Sequence, residues 1–149
     1  MVPGRRIVLL GALCAISVLS GCAGINKAPA EADAEAKKFR SDPAVAQVYL
    51  YRNETMGAGL SMPVTVDGKL AGNTGPNSYF KFDLPAGKHT FTSQGDKSTL
   101  DIDTELGKSY YIWQEVKMGV LSGGSKLQLV SEEIGRKAVM QCTRIQANP

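Results

Sequence analysis

Pro63-Val64-Thr65-Val66-Asp67-Gly68-Lys69-Leu70-Ala71 is the stretch that decides the fold of this chain. Val64 and Val66 alternate with Thr65, as a strand with one buried face requires. Asp-Gly is then the two-residue connection that a tight hairpin favours. The turn that matches strand twist needs positive φ at both central positions, and glycine takes that conformation without a Cβ penalty. Lys69-Leu70-Ala71 is the return strand. One antiparallel hairpin is therefore fixed near the middle of the chain.

The same two-residue period extends in both directions. Ala46 to Arg52 places Ala46, Val48 and Leu50 on one face, and Tyr49 and Tyr51 on the other. Asn77 to Leu84 sets Tyr79 against Phe80. Pro85-Ala86-Gly87-Lys88 turns the chain into His89-Thr90-Phe91-Thr92. Ser98 to Asp103 aligns Leu100 with Ile102, and Leu106-Gly107-Lys108 turns into Ser109 to Val116. A glycine-rich turn over 119–124 leads to Lys126-Leu127-Gln128-Leu129-Val130. Seven to eight short strands separated by turn residues predict a mainly β antiparallel sandwich or small barrel.

The period changes at both ends of this β region. Ser131 is a helix N-cap, with Glu132 and Glu133 in the first turn, where acids suit the helix dipole. Ile134, Ala138, Cys142 and Ile145 recur at helical spacing, which predicts a helix over about 131–145 with one apolar face. That face must pack on something, and the Tyr49 and Tyr51 side of the first strand is a candidate. Upstream, Glu31 to Arg40 has strong helix formers with acids first and bases last. Phe39 is its only large apolar residue. Residues 22–43 therefore read as a partly helical spacer, with Asp42-Pro43 closing it, and residues 44–149 as the β domain with its C-terminal helix.

The N-terminus is of another kind. Arg5-Arg6 precede an apolar run from Ile7 to Leu19, and Leu19-Ser20-Gly21-Cys22 follows. A basic start, a short apolar stretch and small residues make a secretory signal over 1–21. Thirteen apolar-region residues are too few for a comfortable membrane span. The four closing residues resemble a bacterial lipobox. That resemblance implies cleavage before Cys22, diacylglycerol on its Sγ and acylation of the new amine. The alternative is an ordinary signal with a chance cysteine. Each buried methylene contributes about 0.8 kcal/mol, so two or three chains hold a protein at a membrane without help from the polypeptide. Ala23 stands where an Asp, in enteric bacteria, implies inner-membrane retention. The resemblance thus implies the outer membrane, with the domain facing the periplasm.

Removal of residues 1–21 leaves 128 residues, about one domain and enough for a single core. Of 17 basic residues two leave with the signal, so 15 face 14 acidic ones. Near neutrality gives no footprint for nucleic acid. Cys14 leaves with the signal and Cys22 takes lipid, so Cys142 has no partner within the chain and the fold is not a disulfide scaffold. A lone thiol of this kind is expected to be buried and inert.

Chemistry-bearing constellations are sparse. His89, the single histidine, sits after a turn without a nucleophile motif beside it and reads as a surface or strand-end residue. Asp96, Asp101 and Asp103 are close in sequence but lack a calcium-loop pattern and read as solvated carboxylates. Glu115 has no carboxylate partner for glycoside chemistry, and the glycines at 119–124 lack the ending of a phosphate loop. No cofactor, metal or catalytic residue is expected. The aromatics remain. Tyr49, Tyr51, Tyr111 and Trp113 form a candidate binding face that is either a stacking platform for sugar or a partner protein, or the bed of the C-terminal helix.

Val64 to Lys69, Asn77-Ser78-Tyr79-Phe80, Leu84-Pro85-Ala86-Gly87-Lys88-His89-Thr90-Phe91 and Gly107-Lys108-Ser109-Tyr110-Tyr111 together resemble small bacterial lipoproteins of the domain-of-unknown-function 2846 family. The resemblance covers roughly Ala44 to Val139. The Pro-x-Gly-x-His piece is also similar to PEGA repeats and to transthyretin-like or carboxypeptidase-regulatory modules, which implies a prealbumin-type sandwich and brings no catalytic residues. The expectation is a lipid-anchored cell-envelope module with a non-catalytic binding or structural role. Its partners would be the membrane, through acyl chains on Cys22, and an envelope protein or glycan. The alternatives are a glycan- or peptidoglycan-binding lipoprotein and an accessory subunit of an envelope complex.

Overall fold

A computed structural model describes residues 25–94, 98–119 and 123–149. Among these, two helices and nine strands follow in the order α1 (Ala30–Ala36), β1 (Ala46–Arg52), β2 (Met62–Val66), β3 (Lys69–Thr74), β4 (Ser78–Leu84), β5 (Gly87–Thr92), β6 (Thr99–Thr104), β7 (Ser109–Met118), β8 (Gly123–Val130), α2 (Glu132–Met140) and β9 (Thr143–Arg144). One sheet runs β8-β7-β1-β4-β9 and the other β3-β2-β5-β6. The chain is mainly β, a two-sheet sandwich with a third, helical layer on the five-stranded sheet.

The Asp67-Gly68 turn closes the β2–β3 hairpin with φ of 51° and 81°, the mirror-image turn that its sequence predicts. The larger sheet is not purely antiparallel. β1 pairs with β7 in parallel, Tyr49 beside Tyr111 and Leu50 beside Ile112. β9 likewise adds to β4 in parallel. Period-two patterning fixes which face a side chain takes but not the direction of the neighbouring strand. A parallel partner needs a crossover, which here carries β4 and the whole second sheet.

Alternation divides the larger sheet into two hydrophobic layers. Val48, Leu50, Phe80, Phe82, Ile112 and Leu127 point inward, and meet Val64, Ala71, Phe91 and Ile102 from the other sheet. Each fully buried side chain of this size contributes roughly 1.5–3 kcal/mol. Tyr49, Tyr51, Tyr79 and Tyr111 point outward and pack under the helices with Ala36, Ala138, Val139 and Cys142. Tyr79 and Phe80, adjacent in sequence, thus belong to different layers.

α2 is shorter than the expected 131–145. Ser131 caps it by accepting from the Ile134 N–H at 3.4 Å. Its buried face consists of Gly135, Ala138 and Val139, followed by Cys142. Ile134 is 57 % exposed, contrary to the apolar stripe expected. Ile145 is buried, but beyond the helix and in the inter-sheet layer. The rotation has a steric cause. A Cβ on Gly135 would overlap the Tyr111 ring, so glycine lets the helix backbone lie directly on that ring. The signal peptide at 1–21, Cys22, Asp96 and the middle of the glycine-rich turn at 119–124 lie outside the described residues.

Candidate functional site

The outer face of the larger sheet carries the aromatic set singled out by strand alternation. Tyr49 and Tyr111 are in register on neighbouring strands, as are Tyr51 and Trp113. The Tyr49 and Tyr111 rings stack with centroids 5.1 Å apart and 11° between planes. An open platform does not result. Tyr49, Tyr51 and Tyr111 are all buried, because α2 and the segment around α1 cover them. Phe39 lies 5.5 Å from the Tyr49 ring and 6.3 Å from that of Tyr111. Of the four, only Trp113 stays half-buried.

The covering is tied down through hydroxyls. Tyr79 donates to Asp33 Oδ1 at 2.7 Å, and Tyr49 to the carbonyl of Ala36 at 3.2 Å. The Tyr111 oxygen accepts from Arg136 Nε at 3.3 Å. Burial raises the titration of Tyr49 and Tyr79, and pushes Tyr51 up to about 12, so these groups stay neutral donors. Asp33 also accepts from the Arg144 N–H at 3.2 Å and pairs with Lys37 at 3.0 Å. Lys37 Nζ donates to the carbonyl of Cys142 at 2.6 Å. Burial opposes the Asp33 charge, but the bonds from Tyr79 and Lys37 outweigh it and hold the carboxyl below its ordinary range.

These bonds correct the reading of 22–43 as a spacer. Residues from Ile25 through Phe39 are part of the folded body. Ile25 packs against the inter-sheet layer, and Lys27 bridges to Ile145. The Ala28 N–H donates to the Arg144 carbonyl at 3.0 Å, and the Gln146 N–H to that of Asn26 at 2.7 Å. The segment lacks an apolar stripe because its docking is polar, through Asp33 and Lys37, and close-packed, through Ala36.

Trp113 borders a shallow groove with Tyr51, Asn53, Ile134, Lys137 and Gln141. Its Nε1–H is shielded from solvent and has no partner among the described residues. The groove therefore offers an indole beside apolar Ile134 and the Tyr51 ring, with the amides of Asn53 and Gln141 and the ammonium of Lys137 at its rim.

Three other polar sites are structural. His89 is not a surface residue: it is 6 % exposed, with Nδ1 2.7 Å from Asp67 Oδ2 and Nε2 2.8 Å from the Pro85 carbonyl. Burial acts against its charge, but both ring nitrogens face acceptors, so its pKa is raised. The pair joins the β2–β3 turn to the β4–β5 turn, a constellation that reading Asp67 as a turn residue alone misses. Arg52 is fully buried and donates to the carbonyls of Leu60 at 2.7 Å and Gly57 at 2.8 Å, which shapes the β1–β2 loop. Its position after Ala46, Val48 and Leu50 on the inward face was the available signal. Cys142 is buried, and desolvation pushes its thiol up to about 12, so thiolate chemistry is suppressed. Asp101 and Asp103 are exposed. Glu115 pairs with Lys117, and no metal-holding cluster occurs among the described residues. No helix among them is long and apolar enough to cross a membrane.

The fold and its covered aromatic face define a class: small β-sandwiches with a helical layer docked on one sheet. The chain has clear relatives. It belongs to the family described as Protein of unknown function (DUF2846), which matches residues 43–125. A Haemophilus influenzae protein described as uncharacterized is 38% identical over 125 residues, which is 82% of this chain and 74% of the relative. No solved structure matches the chain.

Proposed function

We propose that this protein is a lipid-anchored module of the bacterial cell envelope that works by binding rather than by bond chemistry. One observation carries the reading: Ile25, three residues after the lipobox cysteine, is already packed into the body. Cleavage before Cys22 would leave an intact domain with lipid at its first residue. Ala23 after the cysteine supports the outer membrane and a periplasm-facing domain. The mass of the mature N-terminal peptide tests the anchor. It should begin at Cys22 and carry acyl mass, and Cys22→Ser should stay unprocessed. Normal cleavage of that variant removes the reading.

A second reading is favoured by the Trp113 groove, namely that the bound species is an envelope glycan. Trp113 is the only tryptophan in the chain, so its fluorescence reports this groove alone. Muropeptides should shift its emission, and Lys137→Ala with Gln141→Ala should weaken the response. Unchanged emission with all envelope glycans tried rejects the glycan and leaves a protein partner.

A further inference from the structure

We infer that the uncharged groove beside Ile25 is the face that this domain lays against the lipid bilayer. The inference rests on lipidation of Cys22 as proposed above. The chain enters the body at Ile25. Ile25 is seated against Gly75, where a Cβ would overlap its Cδ1. The Asn26 carbonyl is held by the Gln146 N–H at 2.7 Å. The position of Ile25 on the body is therefore fixed.

Three residue steps separate it from Cys22, and a chain spans at most about 3.6 Å per residue, so the lipidated residue lies within roughly 11 Å. The headgroup layer on each side of a bilayer is itself roughly 5–8 Å thick. A body of this size has a radius of gyration of about 14 Å. Its far side is more than twice the available reach from Ile25. Acyl chains inserted at Cys22 thus leave one side of the domain near the lipid, and it is the side on which Ile25 sits.

That side has the chemistry an interface requires. The groove of about 440 Å³ beside Ile25 is walled by Gly59, Leu60, Leu70, Pro76 and Asn148, and none of its lining residues is charged. Charged residues make up 21% of the chain. Leu70 is 48 % exposed there. Apolar and neutral polar groups enter the headgroup and acyl boundary without the desolvation that a charge incurs. The wall is preformed, since Arg52 holds the carbonyls of Gly57 and Leu60 from behind. Lys27 and Lys69, sequence neighbours of groove residues Asn26 and Leu70, are exposed and are of the sign that lipid phosphates attract.

The test uses full-length lipidated protein in vesicles of phosphatidylethanolamine and phosphatidylglycerol. A fluorophore is placed on Leu70→Cys, on Gly59→Cys, where a Cβ meets nothing, and on Leu129→Cys. Leu129 lies on β8, six residues beyond Gly123, where that strand meets groove residue Leu60, which places it roughly 20 Å along the strand from the groove. Buried Cys142 makes the unsubstituted protein the labelling blank. Headgroup-spin-labelled lipid should quench the Leu70 and Gly59 labels at least threefold more than the Leu129 label. Equal quenching at all three, or more at Leu129, in protein that floats with the vesicles overturns the inference and leaves the anchor standing. Protein that neither floats nor carries acyl mass overturns the anchor itself.

Discussion

The two faces of the five-stranded sheet are both buried, yet they are built differently. The inward face uses Phe80, Phe82, Val48, Leu50 and Ile112, which make no hydrogen bonds and require only shape and dryness. The outward face uses Tyr49, Tyr79 and Tyr111, each of which has a hydroxyl bonded to a helix-bearing segment. Non-directional burial holds the two sheets together. Directional bonds specify where two short helices come to rest on a flat surface. A seven-residue helix such as α1 is marginal alone, so its position is dictated by what it touches.

The difference is open to attack in order of size. Phe91→Ala empties a fully buried site of the inner layer and should cost about 3–5 kcal/mol in urea unfolding followed by Trp113 fluorescence. A loss near that of an exposed site would mean that the inter-sheet layer is not the main cooperative unit. Gly135→Leu drives a side chain into the Tyr111 ring and should cost roughly 1–3 kcal/mol. Here the loss should be local: amide exchange quickens in α1 and α2 while β2 and β5 keep their protection. Uniform quickening would make the two layers one unit.

Tyr79→Phe removes one directional bond to a charged acceptor and should cost about 1.5 kcal/mol. It also tests pH dependence. Asp33 has a depressed pKa in the folded state, so its contribution is present above the unfolded carboxyl value near 3.9 and is lost as pH falls through the folded one. The variant should lose less stability than the parent between about pH 4 and pH 2. Parallel acid limbs would assign the Asp33 shift to Lys37 and the Arg144 N–H. The smallest effect belongs to neither layer. His89→Gln should cost about 1 kcal/mol at pH 6. The folded pKa of His89 is raised, so its contribution is complete below the unfolded value near 6.5 and fades as pH rises through the folded one. The gap between parent and variant should narrow toward pH 9, and a gap that widens instead contradicts an imidazolium held between Asp67 and Pro85.

Much of the sandwich is legible in the sequence because a pleated strand forces alternation. The Asp67-Gly68 hairpin, the opposed faces of Tyr79 and Phe80 and the capping Ser131 follow from spacing alone. The docking of residues 25–39 does not, since Asp33 and Lys37 look like solvated helix residues until Tyr79 and the Cys142 carbonyl are placed beside them. Ile134 misleads for a related reason: apolar spacing marks a stripe, but Gly135 decides which stripe can approach a ring. For the candidate site, alternation put Tyr49, Tyr51, Tyr111 and Trp113 on one face. It could not say that three of them would be roofed and one left at the edge.

Gln47 pairs with Ser109 across 62 positions of chain, and that pairing sits at the centre of the larger sheet. No N-terminal fragment can complete it, and loop closure over such a distance slows the first productive encounter. A polypeptide wired in this way cannot close its larger sheet until its last third is present. For a protein threaded through a translocon, as the proposed export entails, delay of that kind is an asset: the strand order itself keeps the chain pliable until it has reached the far side.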